Sequence, residues 1–169
     1  MSNAYVTGFT SSSNFPLQNA YQSKYMGGFS DGFVTKFSKN GEKLIYSTYL
    51  GGAQMDIGWR IGVDASSNAA VVGFTSSTDF PVLDALQPKY AGGNTDAFVS
   101  RFDPAGRLEF STYLGGKGDE FGYSINADQA DSIWVGGSTS SRDFPVVKAF
   151  QKSYAGGPFD AFLTKIALH

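Results

Sequence analysis

Apolar and polar residues alternate along this chain in short runs, with the period of a β-strand. Residues 96–102 place Phe98 and Phe102 on one face and Val99 and Arg101 on the other. Residues 122–128 alternate likewise, with Tyr123, Ile125 and Ala127 on one face. Residues 132–138 form another such run, matched by residues 4–10 and 69–75. Residues 108–114 (Leu-Glu-Phe-Ser-Thr-Tyr-Leu) are echoed by residues 44–50, and both runs end in Gly-Gly. Period-2 alternation rich in β-branched and aromatic residues predicts strands, not helices. Turn chemistry separates the runs: Gln129-Ala130-Asp131 is polar, Asp103-Pro104-Ala105-Gly106 carries Pro and Gly, and Ser38-Lys39-Asn40-Gly41 holds the Asn-Gly hairpin pair.

The runs recur. Tyr25 to Phe37 returns as Tyr90 to Phe102 and again as Tyr154 to Ile166, at offsets of 65 and 64 residues. Each period holds four strands, here called A, B, C and D in chain order. A four-stranded antiparallel unit at constant spacing predicts an all-β fold built of β-propeller blades. A β-solenoid is the other repeat architecture, but its coils are shorter and carry fewer hairpins. Residues 3–50 supply strands B, C and D, residues 57–114 a complete blade, and residues 121–167 strands A, B and C. About two and a half blades result, fewer than the ~4–8 that close a ring. The ends are therefore expected to present unpaired strand edges. Such a chain would be a piece of a longer propeller, associate with copies of itself, or repeat as a filament.

The B–C connections are long, and their length is constant. Residues 11–30, 76–95 and 140–159 each span twenty residues, with Phe-Pro near the start and Tyr-x-Gly-Gly near the end. Loops beyond ~12–15 residues are uncommon, and are either functional or packed on themselves. Within them, residues 84–88 and 147–151 suggest a short helical turn. Phe15-Pro16, Phe80-Pro81 and Phe144-Pro145 are expected to plug the gaps between adjacent blades. Antiparallel order places these loops on the face opposite the tight A–B and C–D turns. Any binding surface is expected on this elaborated face.

Composition narrows the classes. Apolar residues make up 41%, charged residues 17% and aromatics 15%, with 21 Gly, which fits a turn-rich globular β-protein. The net charge of −2 and the absence of a basic run argue against nucleic acid and against an anionic membrane surface. No apolar stretch approaches the ~18 residues of a membrane-spanning helix. With no cysteine there is neither a disulfide framework nor a thiolate metal site. No charged and apolar leader precedes the first strand, so no signal peptide is visible.

One pattern is specific: Ser-Thr-Tyr-Leu-Gly-Gly, then Gly-Tyr-x-Ile-x-x-Asp, then Val-x-Gly-x-Thr-Ser-Ser-x-Asp-Phe-Pro. Ser111 to Gly116, Gly122 to Asp128 and Val135 to Pro145 carry it. This pattern resembles the bacterial SBBP (seven-bladed beta-propeller) repeat, with NHL-like blades. The resemblance covers essentially the whole chain. It implies an A strand lining a central channel and a place in large bacterial cell-surface or secreted proteins, most without an assigned activity. Residues 51–58 depart from the acidic Gly-Asp-Asp-type turn of that family, which Gly118-Asp119-Glu120 resembles better.

Candidate chemistry is sparse. Gly28-Phe29-Ser30-Asp31-Gly32 matches a nucleophile pattern, but no helix is predicted after it. The sole histidine is His169, and the other copies carry Thr95 and Phe159 in place of the serine. Asp119 and Glu120 are adjacent carboxylates that form a fragment of a calcium ligand set; the competing reading is a solvated turn. Asp31, Asp96 and Asp160 precede strand C in every copy and read as turn residues accepting backbone N–H bonds, as do Asp64 and Asp128 at the A–B turns. Trp59 and Tyr123, near the start of strand A, are aromatics suited either to stacking on a sugar or to packing between blades. Trp134 varies between copies in the same way. Gly116-Lys117-Gly118 completes no phosphate-binding motif.

The expectation is therefore a non-catalytic surface or secreted scaffold with no catalytic, cofactor or firm metal residues. Its expected partners are copies of itself, the remainder of a longer propeller, or a glycan or surface protein. A lectin-like module with repeated sugar sites between blades is the alternative, as is a filament subunit. The low-priority ligand residues are Trp59, Tyr123, Asp119 and Glu120.

Overall fold

The computed structural model describes residues 2–128 and 132–168. The turn at Gln129-Ala130-Asp131 and the histidine His169 lie outside the described residues. The described residues form ten strands: β1 (Tyr5–Thr10), β2 (Asp31–Phe37), β3 (Leu44–Leu50), β4 (Asp56–Val63), β5 (Ala69–Thr75), β6 (Asp96–Phe102), β7 (Leu108–Leu114), β8 (Glu120–Ala127), β9 (Ser132–Thr139) and β10 (Asp160–Ala167). They form three antiparallel sheets in the orders β1-β2-β3, β4-β5-β6-β7 and β10-β9-β8, none of them closed. The ten strands and their 3, 4, 3 partition agree with the alternation pattern.

No helix occurs among the described residues, so the helical turns expected at 84–88 and 147–151 do not form. Leu83 instead makes an isolated bridge with Ser111 on β7. Asp84 and Lys148 take φ of 48° and 51°, as Asn19 does at 45°. A left-handed residue right after the bridging position turns the loop away, and a helix cannot start there.

Register corrects one sequence match. Gly8 lies opposite Phe33, Gly73 opposite Phe98 and Gly137 opposite Phe162. The equivalent of Gly73 is therefore Gly137, where residue-by-residue matching of the runs had put Gly136. Sterics fix this choice: a Cβ on Gly137 would sit 2.5 Å from Phe162 Cζ, and one on Gly8 2.9 Å from Phe33 Cε1. The ring needs the space above the glycine.

The sheets pack in chain order, with β1 and β2 against β4, and β5 and β6 against β8. Two apolar layers fill the interfaces. Val34, Tyr46 and Leu50 meet Val71, Phe98 and Phe102 in the first. Ala70, Val72, Val99 and Phe110 meet Ile133, Val135 and Ile166 in the second. The two faces of β6 thus serve two different interfaces, as its alternation predicted. Backbone bonds also cross between sheets, from Asp56 N–H to Ser30 O and from Glu120 N–H to Thr95 O, each 2.8 Å.

The Phe-Pro rings do a further job beside the one expected: Phe80 lies in the first interface layer and Phe144 packs against the second. Phe15 packs on Phe33 at 4.7 Å and Phe80 on Phe98 at 4.4 Å, both tilted, and Phe144 stacks on Phe162 at 4.7 Å. Each ring covers the C strand of its own sheet.

Candidate functional site

Strand A carries a β-bulge in both copies. Pairing shifts between Gly58 and Arg60 on β4 and between Gly122 and Ser124 on β8, leaving Trp59 and Tyr123 as the extra residues. A bulge re-aims a side chain that alternation would place elsewhere. Tyr123 is therefore out of phase with Ile125 and Ala127, contrary to the simple reading of that strand. Trp59 and Tyr123 remain 41% and 43% exposed. Their rings stand 6.1 Å apart, edge to face. Phe74 meets Trp59 at 6.1 Å and Phe121 at 5.0 Å, and Phe121 lies parallel to Tyr123 at 6.1 Å. Arg60 sits 6.0 Å from the Trp59 ring. The result is one continuous aromatic surface joining the second and third sheets, so the two readings of these residues are not exclusive: each ring packs across an interface and keeps a half-open face.

Asp119 and Glu120 do not converge. The Asp119 carboxylate is bound by the Asn94 backbone N–H at 2.6 Å and by the Asn94 side-chain amide at 3.1 Å, in an exposed loop. Glu120 is 0% exposed, which corrects the expectation of a solvated turn. It accepts from Gly116 N–H at 2.8 Å and from the Thr139 hydroxyl at 2.5 Å. Strand periodicity points the two neighbours to opposite sides. Among the described residues no group of three or more His, Asp or Glu side chains could hold a metal ion.

Glu120 instead belongs to a buried carboxyl pair that sequence reasoning missed. Its partner is Asp96, and the same arrangement joins Asp31 to Asp56 one unit earlier; all four are fully buried. The oxygens crowd a shared glycine: a Cβ on Gly115 would lie 2.6 Å from Asp96 Oδ1 and 2.5 Å from Glu120 Oε2. Asp96 Oδ2 accepts from Ala91 N–H at 2.7 Å and from the Gln87 amide at 3.3 Å. Asp31 does the same with Met26 and Gln22. The other oxygens, Asp31 Oδ1 and Asp96 Oδ1, are buried with no hydrogen-bond partner. Burial pushes the Asp96 carboxyl up to about 7, opposed by the Ala91 N–H and reinforced by the Glu120 charge. Burial pushes Asp31 up to about 6, against the Met26 bond and with help from Asp79. Asp56 also rises to about 6 through burial, against bonds from Thr75, Gly52 and Ser77. The turn role expected for Asp31, Asp96 and Asp160 is seen in each copy, since Ala155 N–H binds Asp160 at 2.5 Å. The missed signal was the acid at the start of each A strand, Asp56 and Glu120, at equivalent positions.

Ser30 of the Gly-x-Ser-x-Gly pattern is 1% exposed, and its hydroxyl donates to Asp56 O at 3.3 Å. Asp64 and Asp128 cap the A–B turns by accepting from Asn68 N–H at 2.9 Å and Ser132 N–H at 3.1 Å. Trp134 faces outward on the last sheet, with Lys165 5.2 Å from its ring.

The last sheet ends on β10, whose outer edge pairs with no strand among those described. A groove of about 890 Å³ runs along it, walled by Phe144, Val147, Gln151, Phe162 and Leu163. Leu163 is 71% exposed whereas its equivalent on β6, Val99, is buried, and Val147 is 86% exposed against 41% for its equivalent Leu83.

No protein-family model matches the chain, and no curated protein matches it in sequence.

Proposed function

We propose that this chain is a non-catalytic β-propeller-type scaffold that works by association through its end sheets and its long-loop face. The observation that carries the reading is the asymmetry between interior and terminal sheets. On the interior sheet Val72 and Val99 are fully buried by the sheet that follows, while Leu163, the equivalent of Val99 on the last sheet, is open to water. Apolar faces and free strand edges of this kind recruit partners. The partner is a second copy or further blades of the same type, in the bacterial cell-surface or secreted setting that the repeat resemblance implies. A filament follows if the contact is head-to-tail and does not close.

Light scattering across a dilution series tests this. Mass that rises with concentration, while circular dichroism stays that of a β-protein, supports the reading. A folded monomer at every concentration overturns self-association.

A lectin-like reading is favoured by one specific observation, the half-open Trp59 and Tyr123 rings on adjacent A strands. Aromatic faces bind the apolar faces of sugar rings. A glycan array separates the two: binding that is lost in Trp59→Ala supports the lectin, and an empty array leaves the scaffold.

A further inference from the structure

We infer that the groove along β10 is a peptide-binding site that takes an extended strand of the pattern Leu-x-aromatic-Ser-Thr-Tyr-Leu-Gly. The inference deepens the scaffold reading by naming one site and the ligand it recognises. Its argument is internal, because the same site occurs twice more in the molecule with a strand already seated in it.

In the second sheet the seated strand is β7, and in the first it is β3. Each runs antiparallel to its C strand, with Ser111 opposite Ser100 and Ser47 opposite Thr35. The B–C loop then grips the strand from its other side. Leu83 and Ser111 exchange backbone bonds of 2.9 and 2.8 Å; Gln18 and Ser47 do so at 3.1 and 2.7 Å. Side chains read the sequence. The Ser111 hydroxyl donates to Pro81 O at 2.6 Å, and that of Ser47 to Pro16 O at 2.7 Å. The hydroxyls of Thr112 and Thr48 accept from Gln87 N–H and Gln22 N–H, both at 2.8 Å. The Tyr113 hydroxyl accepts from Phe80 N–H at 2.9 Å and donates to Ser77 O at 2.8 Å. Tyr49 repeats this with Phe15 and Ser12 at 3.1 and 2.6 Å. The following glycine N–H reaches the glutamine side-chain oxygen, Gly115 to Gln87 at 3.0 Å and Gly51 to Gln22 at 3.2 Å.

The third copy has the receiving half of this arrangement already set. Gln151 binds Ser153 O at 3.1 Å and Asp160 at 3.2 Å, as Gln87 binds Lys89 O and Asp96 at 3.1 and 3.3 Å. Tyr154 closes on Gly157 O at 2.7 Å, as Tyr90 does on Gly93 O at 3.2 Å. Phe144 already stacks on Phe162. Lys148 holds the same left-handed backbone as Asp84 and Asn19. Ser141, Phe144, Pro145, Val147 and Gln151 occupy the positions of Ser77, Phe80, Pro81, Leu83 and Gln87, and all of them line the groove.

Strand addition to a free sheet edge draws affinity from main-chain bonds and specificity from the alternate side chains. Preorganisation lowers the ordering cost on the receiving side. Here the code is explicit: Ser for Pro145 O, Thr for Gln151 N–H, Tyr for the Phe144 N–H and Ser141 O pair, and Gly for Gln151 Oε1.

The test is fluorescence anisotropy of the full chain with a labelled peptide of residues 107–116. One-to-one saturable binding is expected. Thr→Val at the threonine of the peptide should weaken it about fivefold, by the loss of the bond from the glutamine N–H, and Tyr→Phe about 25-fold, by the loss of two hydrogen bonds. A scrambled peptide should not bind. Gln151→Ala, in an exposed loop, should weaken the parent peptide about fivefold with an unchanged thermal melt. Absence of binding at about 1 mM peptide overturns the inference, as does binding indifferent to scrambling or to Gln151. A chain that self-associates yet ignores the peptide loses this site and keeps the scaffold. A monomer that binds the peptide keeps the site and loses self-association.

Discussion

Replacing Asp96 by Asn is expected to stabilise the protein above neutral pH, although it removes a fully buried, hydrogen-bonded carboxyl group. Asp96 titrates near 3.8 when unfolded and at about 7 when folded. The folded state therefore holds a proton that the unfolded state has released. Its contribution is intact below pH ~4 and is lost as pH rises through 7, with a ceiling of about 4 kcal/mol at 1.36 kcal/mol per unit. Asn keeps an acceptor for Ala91 N–H and the Gln87 amide, and its NH₂ can occupy the position of the unpartnered Oδ1 beside Glu120. The second N–H of the new amide has no acceptor in this buried site and costs about 2 kcal/mol. A net gain of about 2 kcal/mol at pH 8 remains, worth roughly 4–8 °C in Tm for a chain of this size. At pH 4.5 the gain should vanish. Thermal melts of both proteins at the two pH values measure it. An Asp96→Asn variant that is less stable at pH 8 than the parent would refute the reasoning, since the ionised carboxylate would then be doing something favourable.

Three further outcomes follow from particular contacts. The parent protein should lose stability between pH 4 and 7, because Asp31 and Asp56 rise to about 6 as Asp96 rises to about 7; denaturant midpoints across this window check it, and a rising midpoint sinks it. Gly93→Ala should cost well over 2 kcal/mol and its equivalent Gly157→Ala only about 1 kcal/mol. Both sit at positive φ, 67° and 78°, but a Cβ on Gly93 strikes Gly118 O whereas nothing lies within 4 Å at Gly157; urea unfolding of the two variants separates local strain from the clash. Tyr113→Phe should cost about 2–3 kcal/mol, because it strands the buried Phe80 N–H and Ser77 O. Equal melts for Tyr113→Phe and the parent would remove this tyrosine from the seated-strand code.

Much of the fold was legible in the chain because a strand's periodicity is local. The alternation of Phe98, Val99 and Phe102 named the faces of β6, and the repeat gave the count of strands. The bulges were not legible: Trp59 and Tyr123 fit a regular strand as well as a bulged one, and only pairing with β5 and β9 shows the extra residue. The carboxyl pairs were hidden for a related reason. Asp31 and Asp56 lie on different sheets, as do Asp96 and Glu120, and nothing along the chain brings them together. The contact that each Phe-Pro ring makes with the C strand of its own sheet was hidden similarly, because packing on Phe33, Phe98 or Phe162 depends on where the long loop returns.

By itself, then, the sequence determined the strands, their order and the chemistry repeated in every unit, since period and turn residues act over a few neighbours. Tertiary structure decided what each repeat becomes in its place. The same Asp is a buried member of a carboxyl pair in the first two copies and a half-buried turn residue at Asp160, against which no further sheet packs among the described residues. The same glutamine and Phe-Pro loop hold a strand twice and line an open groove the third time. Burial and pairing come from the neighbouring sheet, and identical sequence cannot encode whether that neighbour is there.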